Sequence, residues 1–345
     1  MEVLYIGPYR QLDSWGQTSR GLLSLLAGQD IDLIARPVWF TGDQRGIDLG
    51  ELEVYESKEL VDRNVLIQHG LPSSLNYNGD FKTNIAVTSI DCDVSHTNWI
   101  DHLNLFDLVI VFSDFEKELL EKSDKLTVDV VALSHPPHSP SNEIADLDLS
   151  NIKERKFYAV GSTDIKSATK ELLISFLASF SILDDVTLLL ATDQPKEMEG
   201  LVGHIKQHLG IFSDARYYPN IAIINSASQS IMNYLHQVGD IYVDVGYNLR
   251  MGGPVLDAIA NSSLTVLLDT CKYGSVSVKS QPEIMFTASK PLPYLYTGHS
   301  TWQVPNTAHL SYALKEVINR DDFPSTEKTM HNQLDSEIKE ILCTL

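Results

Sequence analysis

The sequence predicts an α/β protein made of two tandem Rossmann-like, doubly wound domains. Three observations lead to this prediction. Short apolar, β-branched runs alternate with amphipathic segments along most of the chain, as in parallel sheets covered by helices. A stretch rich in proline and serine interrupts the alternation near the middle, and the alternation then resumes. The length of 345 residues also exceeds that of a usual single domain.

The first half opens with strand, loop, helix and strand. Val3–Gly7 forms the first strand, SRGLLSLLAG the helix and IDLIARP the second strand. Three further apolar runs each have a polar residue at their carboxyl end: Asn64–His69, Asn84–Ser89 and Asp107–Ser113. Because ligands of doubly wound sheets lie at the carboxyl ends of strands, we expect these terminal residues to line a cleft. Ser113 has a simpler alternative, since serine is also a good N-cap for the following helix DFEKELL.

The second half repeats the pattern after Ser134–Lys156, which lacks periodicity as a linker does. Its predicted elements are the strand FYAVGS, the helix ELLISFLASFSI, the strand VTLLLAT, a helix around GLVGHIKQHLG, the strand IAIINS and the helix SQSIMNYLHQVG. We therefore predict an N-terminal domain at 1–140, a linker at 141–156, a C-terminal domain at 157–305 and C-terminal helices at 306–345 that pack back on the first domain.

Composition argues against several classes of protein. With 43% hydrophobic and 21% charged residues the chain is globular, and no run approaches about 18 continuous apolar residues. Its start, MEVLYIGPYR, lacks a basic region followed by an apolar run, so we expect a cytoplasmic protein without a transmembrane segment. The net charge of −20 argues against a nucleic-acid partner, because phosphates are neutralised by Lys and Arg. Cys92, Cys271 and Cys343 fit reduced thiols and form no metal-ligand pattern.

The most informative segment is Asp240–Asp269, which has the order strand, glycine loop, helix, strand. Pro254 suits the first turn of its helix, and Asp257 follows inside that helix. Three glycines precede the helix: Gly246, Gly252 and Gly253. Free backbone N–H groups at the helix start would face a phosphate, and Asp257 would accept hydrogen bonds from sugar hydroxyls. The pattern indicates a nucleotide-sugar site, although turn glycines and a surface or capping aspartate explain it too.

Four further segments match one family's pattern in order along the chain. They are Thr97–Ser123, SHPPHSP, VGSTDIKSATKELLISFL and NYLHQVGDIYVDVGY. With the two Rossmann-like halves, they resemble the GT-B glycosyltransferases, especially retaining glycosyltransferase family 4 (glycosyl transferases group 1), related to sucrose and glycogen synthases. The resemblance implies a GT-B fold with a deep cleft between its domains. It also implies sugar transfer from a nucleotide-sugar donor, an EC 2.4 reaction, with retention and without a metal or other cofactor.

The family's donor signature, two glutamates separated by seven residues, is altered in this chain. Aligned on Pro254, Asp257 takes the second acidic position, which the family uses for donor ribose, and Leu249 takes the first. Arg250, with Met251 and the glycines beside it, would supply charge and backbone groups to the diphosphate instead.

A second departure concerns the family's basic residues, because Ser162 stands where an arginine is usual. Lys166 or Lys170 would replace it, Lys166 being better placed, unless these are solvated lysines at a helix start.

The resemblance also implies roles elsewhere in the cleft. Gly16 resembles the family's N-terminal glycine loop near the donor phosphates, or it is a tight structural turn. His69 and Asp91 resemble cleft positions facing the sugar or acceptor, and we predict them as catalytic. The alternatives are a structural histidine, Asp93 in place of Asp91, and loop capping. Asn225 and Ser226 would meet the nucleotide base through backbone groups, or form a turn.

These predictions support three functions. The first is a glycosyltransferase whose acceptor is a glycan, a lipid-linked sugar, a small molecule or a modified nucleobase. The second is a GT-B-like protein that binds or assembles without catalysis, motivated by Leu249 and Ser162. A nucleotide-sugar epimerase of the same architecture is third, because epimerisation needs more convergent acids and bases than the sequence supplies.

Overall fold

In the residues that it describes, the computed structural model contains two parallel six-stranded sheets and one antiparallel two-stranded hairpin. It describes residues 1–11, 14–40, 48–90, 98–133, 147, 152–163, 167–225, 229–246, 253–271, 274–284, 301–320 and 336–343. The predicted α/β class with two doubly wound sheets is confirmed.

The first sheet lies in the N-terminal half. Its strands are β1 (Glu2–Gly7), β2 (Asp32–Pro37), β3 (Val65–His69), β4 (Thr83–Val87), β5 (Leu108–Val111) and β6 (Val130–Ala132), and its helices are α1 (Ser14–Ala27), α2 (Val54–Ser57), α3 (Trp99–Leu103) and α4 (Asp114–Glu121). The strand order is β2-β1-β3-β4-β5-β6. Every residue of β3 is buried, because helices cover both faces of a parallel sheet. Such a strand therefore does not alternate between polar and apolar residues.

The second sheet has the order β12-β11-β10-β7-β8-β9, and all its paired strands are parallel. These strands are β7 (Arg155–Val160), β8 (Val186–Thr192), β9 (Asn220–Asn225), β10 (Ile241–Asp244), β11 (Leu264–Leu268) and β12 (Val276–Val278). The hairpin strands β13 (Ser280–Ile284) and β14 (Thr301–Pro305) follow. The helices of this half are α5 (Thr169–Ser179), α6 (Pro195–Leu209), α7 (Gln229–Val238), α8 (Gly253–Ala260) and α9 (Thr307–Val317).

Local sequence signals explain where several helices begin and end. Ser113 caps α4, as its sequence position suggested, by accepting a hydrogen bond from the Glu116 N–H. Asn306 caps α9 in the same way, and Pro195 occupies the first turn of α6. Gly210 follows α6 with a φ of 56°, a left-handed conformation that glycine adopts without a Cβ clash.

The two C-terminal helices contact different sheets. α9 packs against α5, β11 and β12 of the second half. The helix at 336–343, here α10, instead places Ile338 in the core of the first sheet, where Leu22 and Leu26 of α1 face it across a small apolar cavity. Of the described C-terminal segment, therefore, α10 packs on the first sheet and α9 packs on the second. The domain boundaries stay predictions.

Candidate functional site

Each sheet has one point where its strand order reverses. In the first sheet this point lies between β1 and β3, and in the second between β7 and β10. Loops leaving the carboxyl ends of such a strand pair diverge to opposite faces and leave a crevice that commonly binds ligands. His69 ends β3 at the first crevice, and Asp244 ends β10 at the second. The strand order thus places one predicted site residue at a crevice and adds another that the sequence interpretation had not singled out.

His69 is buried among hydroxyl and aromatic groups. Its Nδ1 lies 3.0 Å from the Tyr5 hydroxyl oxygen, which in turn lies 2.6 Å from Ser19 Oγ. The rings of Trp15 and Phe112 flank the imidazole at centroid distances of 5.5 and 5.7 Å. Burial raises the pKa of Tyr5, so its hydroxyl stays protonated. Hydrogen bonding and ring contacts therefore fix the imidazole; its predicted catalytic role stays a prediction.

Gly16 lies where α1 begins and touches the preceding loop. A Cβ at this position would stand 2.0 Å from the Gln11 carbonyl oxygen, so only glycine permits this approach. The Arg20 guanidinium holds the same loop by donating to the carbonyl oxygens of Tyr9 and Gln11, at 2.9 and 2.5 Å. These contacts agree with the structural alternative for Gly16, a tight turn. Contact with a donor stays a prediction.

Glu116 is a buried carboxyl that sequence interpretation missed. Its oxygens accept hydrogen bonds from Ser89 Oγ at 2.5 Å, the Ile90 N–H at 2.9 Å and the Phe112 N–H at 3.0 Å, and Ser113 Oγ lies 3.1 Å away. Burial raises its pKa, and these donors offset part of that shift. Glu116 thus connects α4 to the segments that follow β4 and β5. One of its partners, Ile90, immediately precedes Asp91 in the sequence. The spacing Ser113-x-x-Glu116, a capping box, was the available signal.

A loop rich in hydroxyls joins β7 to α5. Ser167 Oγ donates to the Ser162 carbonyl oxygen at 2.7 Å and lies 2.8 Å from Thr169 Oγ1, which accepts from the Ser162 N–H at 3.1 Å. Lys170 is exposed in the first turn of α5, and Lys166 lies outside the described residues. Hydroxyl and backbone groups therefore surround the helix start at which a basic residue was expected.

Asp244 ends β10 at the second crevice. Its Oδ1 accepts a hydrogen bond from the Gly246 N–H at 3.2 Å, and its Oδ2 lies 3.5 Å from the Tyr242 hydroxyl oxygen. Burial raises the pKa of this carboxyl. Leu249, Arg250, Met251 and Gly252 lie outside the described residues, and Gly253 begins α8.

Asp257 lies in α8 and is buried, with 8% of its surface exposed. Its Oδ2 is 3.8 Å from His236 Nε2 on α7. The other ring nitrogen, His236 Nδ1, lies 3.1 Å from the Tyr158 hydroxyl oxygen, which is 2.8 Å from Ser263 Oγ. A surface position, one alternative for this aspartate, does not match this burial; its contact with ribose stays a prediction.

The structure brings some predicted residues together and separates others. Trp15, next to Gly16, contacts His69, and α1 contacts α8, the helix that contains Asp257. Asn225, by contrast, is exposed at the end of the edge strand β9. Asp91, Asp93 and Ser226 fall outside the described residues.

Within the described ranges, no group of three or more His, Cys, Asp or Glu side chains is arranged to hold a metal ion. Among helices of the described part of the chain, none has the length and apolar character needed to cross a membrane. Cys271 is a buried free thiol and Cys343 an exposed one.

The fold was then compared with known proteins. No protein-family model and no curated protein matches the sequence. Among solved structures, sucrose-phosphate synthase from Thermosynechococcus elongatus aligns with a TM-score of 0.55 at 12% identity, covering 100% of this chain and 94% of that one. The chain has the GT-B fold.

Two other structures are similar. One is described as trehalose-6-phosphate from E. coli bound with UDP-2-fluoro glucose, with a TM-score of 0.53, 9% identity and coverage of 100% and 96%. The other is a mutant of S. aureus TarM in complex with Fondaparinux, alpha-GlcNAc-glycerol and UDP, with a TM-score of 0.48, 12% identity and coverage of 85% of this chain. The chain spans 55% of the TarM chain's length. The predicted resemblance to GT-B glycosyltransferases is confirmed at the level of fold.

Proposed function

We propose that this protein is a glycosyltransferase that moves a sugar from a nucleotide-sugar donor to an acceptor hydroxyl, with retention and without a bound metal. The observation that carries the proposal is the placement of Asp257. It lies in α8, which follows β10 at the second sheet's crevice and contacts α1 of the first half. A carboxylate there accepts hydrogen bonds from ribose hydroxyls, while the helix start attracts phosphate.

The donor's diphosphate would be stabilised by the positive N-terminal ends of two helix dipoles. The starts of α5 and α8 both follow strands that border the crevice, and their N–H groups carry partial positive charge. Lys166 and Arg250 would add full charges as the diphosphate departs. Preorganised groups of this kind stabilise a leaving group without reorganising during the reaction.

His69 would act on the acceptor side. If its Nδ1 carries the proton and donates to Tyr5, Nε2 accepts the proton of the acceptor hydroxyl. If Tyr5 donates to Nδ1, Nε2 carries the proton and orients a sugar hydroxyl instead. Asp91 would assist at the start of the loop that Glu116 anchors through Ile90. The acceptor would be a glycan, a lipid-linked sugar, a small molecule or a modified nucleobase, in the cytoplasm.

A panel of nucleotide sugars tests this proposal. We expect one donor to raise the melting temperature of the wild type and to be hydrolysed or transferred. Asp257→Ala should abolish the shift, whereas Asp124→Ala, which changes an exposed aspartate after α4, should retain it. Absence of a shift with every donor would refute the proposal.

A second candidate function is donor binding without catalysis. The observation that favours it is Leu249, which has no carboxylate where the resembling family has one, together with Ser162. Donor binding without turnover, with turnover restored by Leu249→Glu, would support this candidate. Turnover by the wild type would exclude it.

A further inference from the structure

The imidazole of His236 is held between a tyrosine and the carboxylate assigned above to ribose. Its Nδ1 lies 3.1 Å from the Tyr158 hydroxyl oxygen, and its Nε2 lies 3.8 Å from Asp257 Oδ2. The rings of Tyr158 and Tyr242 pack around it, with centroids at 5.4 and 5.8 Å. Only 1% of the His236 side chain is exposed. The ring plane is therefore set by its surroundings.

The hydrogen bonds of this cluster limit where its protons lie. Burial raises the pKa of Tyr158, so its hydroxyl keeps its proton and either donates to Nδ1 or accepts from it. In both arrangements Nε2 is the ring nitrogen that faces Asp257. When Tyr158 donates to Nδ1, the neutral ring carries its proton on Nε2, which lies 3.8 Å from Asp257 Oδ2, beyond hydrogen-bond distance but close enough for electrostatic attraction to the carboxylate.

A protonated Nε2 constrains what Asp257 can do. An ionised carboxylate has about four acceptor positions, and an N–H group beside one oxygen favours one rotamer by electrostatic attraction while leaving acceptor positions for a ligand. Vicinal hydroxyls, as at the 2′ and 3′ positions of ribose, match a carboxylate held in one orientation. A deoxyribose offers fewer donors to the same group.

We propose that His236 is a positioning residue that, acting through Asp257, gives the site its preference for a ribonucleotide donor over a deoxyribonucleotide. This inference rests on the proposed function, because it assigns the ribose of the donor to Asp257. Tyr158 and Ser263 hold the far side of the ring, so the whole cluster orients one carboxylate.

Calorimetric titration of the full chain tests the proposal. The probes are UDP, ADP and GDP and their 2′,3′-dideoxy forms, and the variants are His236→Phe, which keeps the ring's volume, and His236→Gln, which keeps a donor near Nε2. His208→Phe, on the exposed side of α6, is the control.

We expect the wild type to bind its ribonucleotide about tenfold or more tightly than the dideoxy form, because a hydrogen bond to a charged group is lost. In His236→Phe the affinity for the ribonucleotide should fall by about the same factor, while the affinity for the dideoxy form stays as in the wild type. The preference for the ribonucleotide should therefore disappear. His236→Gln should restore most of the preference, and His208→Phe should leave it unchanged.

Two outcomes would overturn only this inference. They are an unchanged ribose preference in His236→Phe, and an equal loss of affinity for both sugar forms, which a merely structural role would produce. Failure of the wild type to bind any nucleoside diphosphate would overturn the proposed function as well.

Discussion

Two buried clusters, one in each half, have the same three residue types and different surroundings. In the first, Tyr5 lies 2.6 Å from Ser19 Oγ and 3.0 Å from His69 Nδ1. In the second, Tyr158 lies 2.8 Å from Ser263 Oγ and 3.1 Å from His236 Nδ1. Each tyrosine belongs to the first strand of its half, β1 or β7, at the crevice of its sheet.

The difference lies in what surrounds each imidazole. His69 ends a strand and is flanked by Trp15 and Phe112, whereas His236 lies on a helix with Asp257 at 3.8 Å from its Nε2. The same hydroxyl anchor therefore holds two imidazoles in different environments. Under the two proposals, His69 at its strand end acts in the first crevice, while His236 beside Asp257 orients that carboxylate.

Exchanging each histidine for phenylalanine should separate these two purposes most clearly. Under the proposed function, His69→Phe should lower kcat about 100-fold or more, because it removes a proton-transfer group, and leave the Kd for the nucleoside diphosphate unchanged. His236→Phe should raise that Kd and leave kcat close to wild type. Steady-state kinetics with titration calorimetry measure both quantities. Equal effects of both variants on Kd would contradict the assigned difference.

Removing each tyrosine hydroxyl tests the shared anchor. Tyr5→Phe and Tyr158→Phe should each lower the free energy of unfolding by about 1–3 kcal/mol, because buried serine and histidine groups lose a partner. Tyr158→Phe alone should also weaken ribonucleotide binding, since it frees the ring of His236. Urea unfolding followed by circular dichroism measures the first effect, with Tyr312→Phe at an exposed position as the control. Stability equal to wild type in both variants would show that the hydroxyls do not anchor the rings.

The smallest expected effect concerns Asp244, beside the second cluster. Its raised pKa means that burial favours the protonated carboxyl, so this contribution to stability is present at low pH and lost as pH rises through the folded-state pKa. Asp244→Asn keeps the acceptor for the Gly246 N–H without the charge. The variant should therefore gain stability relative to wild type as the pH rises from about 4, the ordinary pKa of an aspartate, through the raised folded-state pKa.

Unfolding by urea at several pH values checks this expectation. Asp48→Asn is a matched control, because Asp48 Oδ1 accepts from the Gly50 N–H at 2.8 Å in the same local pattern but is exposed. A stability difference between Asp244→Asn and wild type that stays constant with pH would refute the assigned burial of the charge.

Local patterns along the chain predicted much of the secondary structure. The run ending at His69 became β3, and Ser113, at the end of another run, became the N-cap of α4. Both outcomes follow from local sequence, because apolar periodicity and capping depend on neighbouring residues. The hairpin β13–β14 was not predicted. Pro282 within it weakens the strand signal, because proline cannot donate a hydrogen bond to the ladder.

The candidate site could be predicted only in part. Asp257 was found from its distance to a glycine loop, which is a sequence property. Glu116 and Asp244 were missed because their importance depends on burial, and His236 because its partner Tyr158 is 78 residues away. Lys166, Arg250 and Asp91 stay predictions outside the described residues.

By itself, the sequence determined two doubly wound halves, a glycine loop before an acidic helix and a resemblance to GT-B glycosyltransferases. These follow from periodicity, turn chemistry and residue order, which act over short distances. Only the tertiary structure decided that Tyr158 and His236 stand behind Asp257, and that Trp15 and Tyr5 hold His69. Strand order sets which distant residues meet, and burial sets how strongly their charges and protons interact.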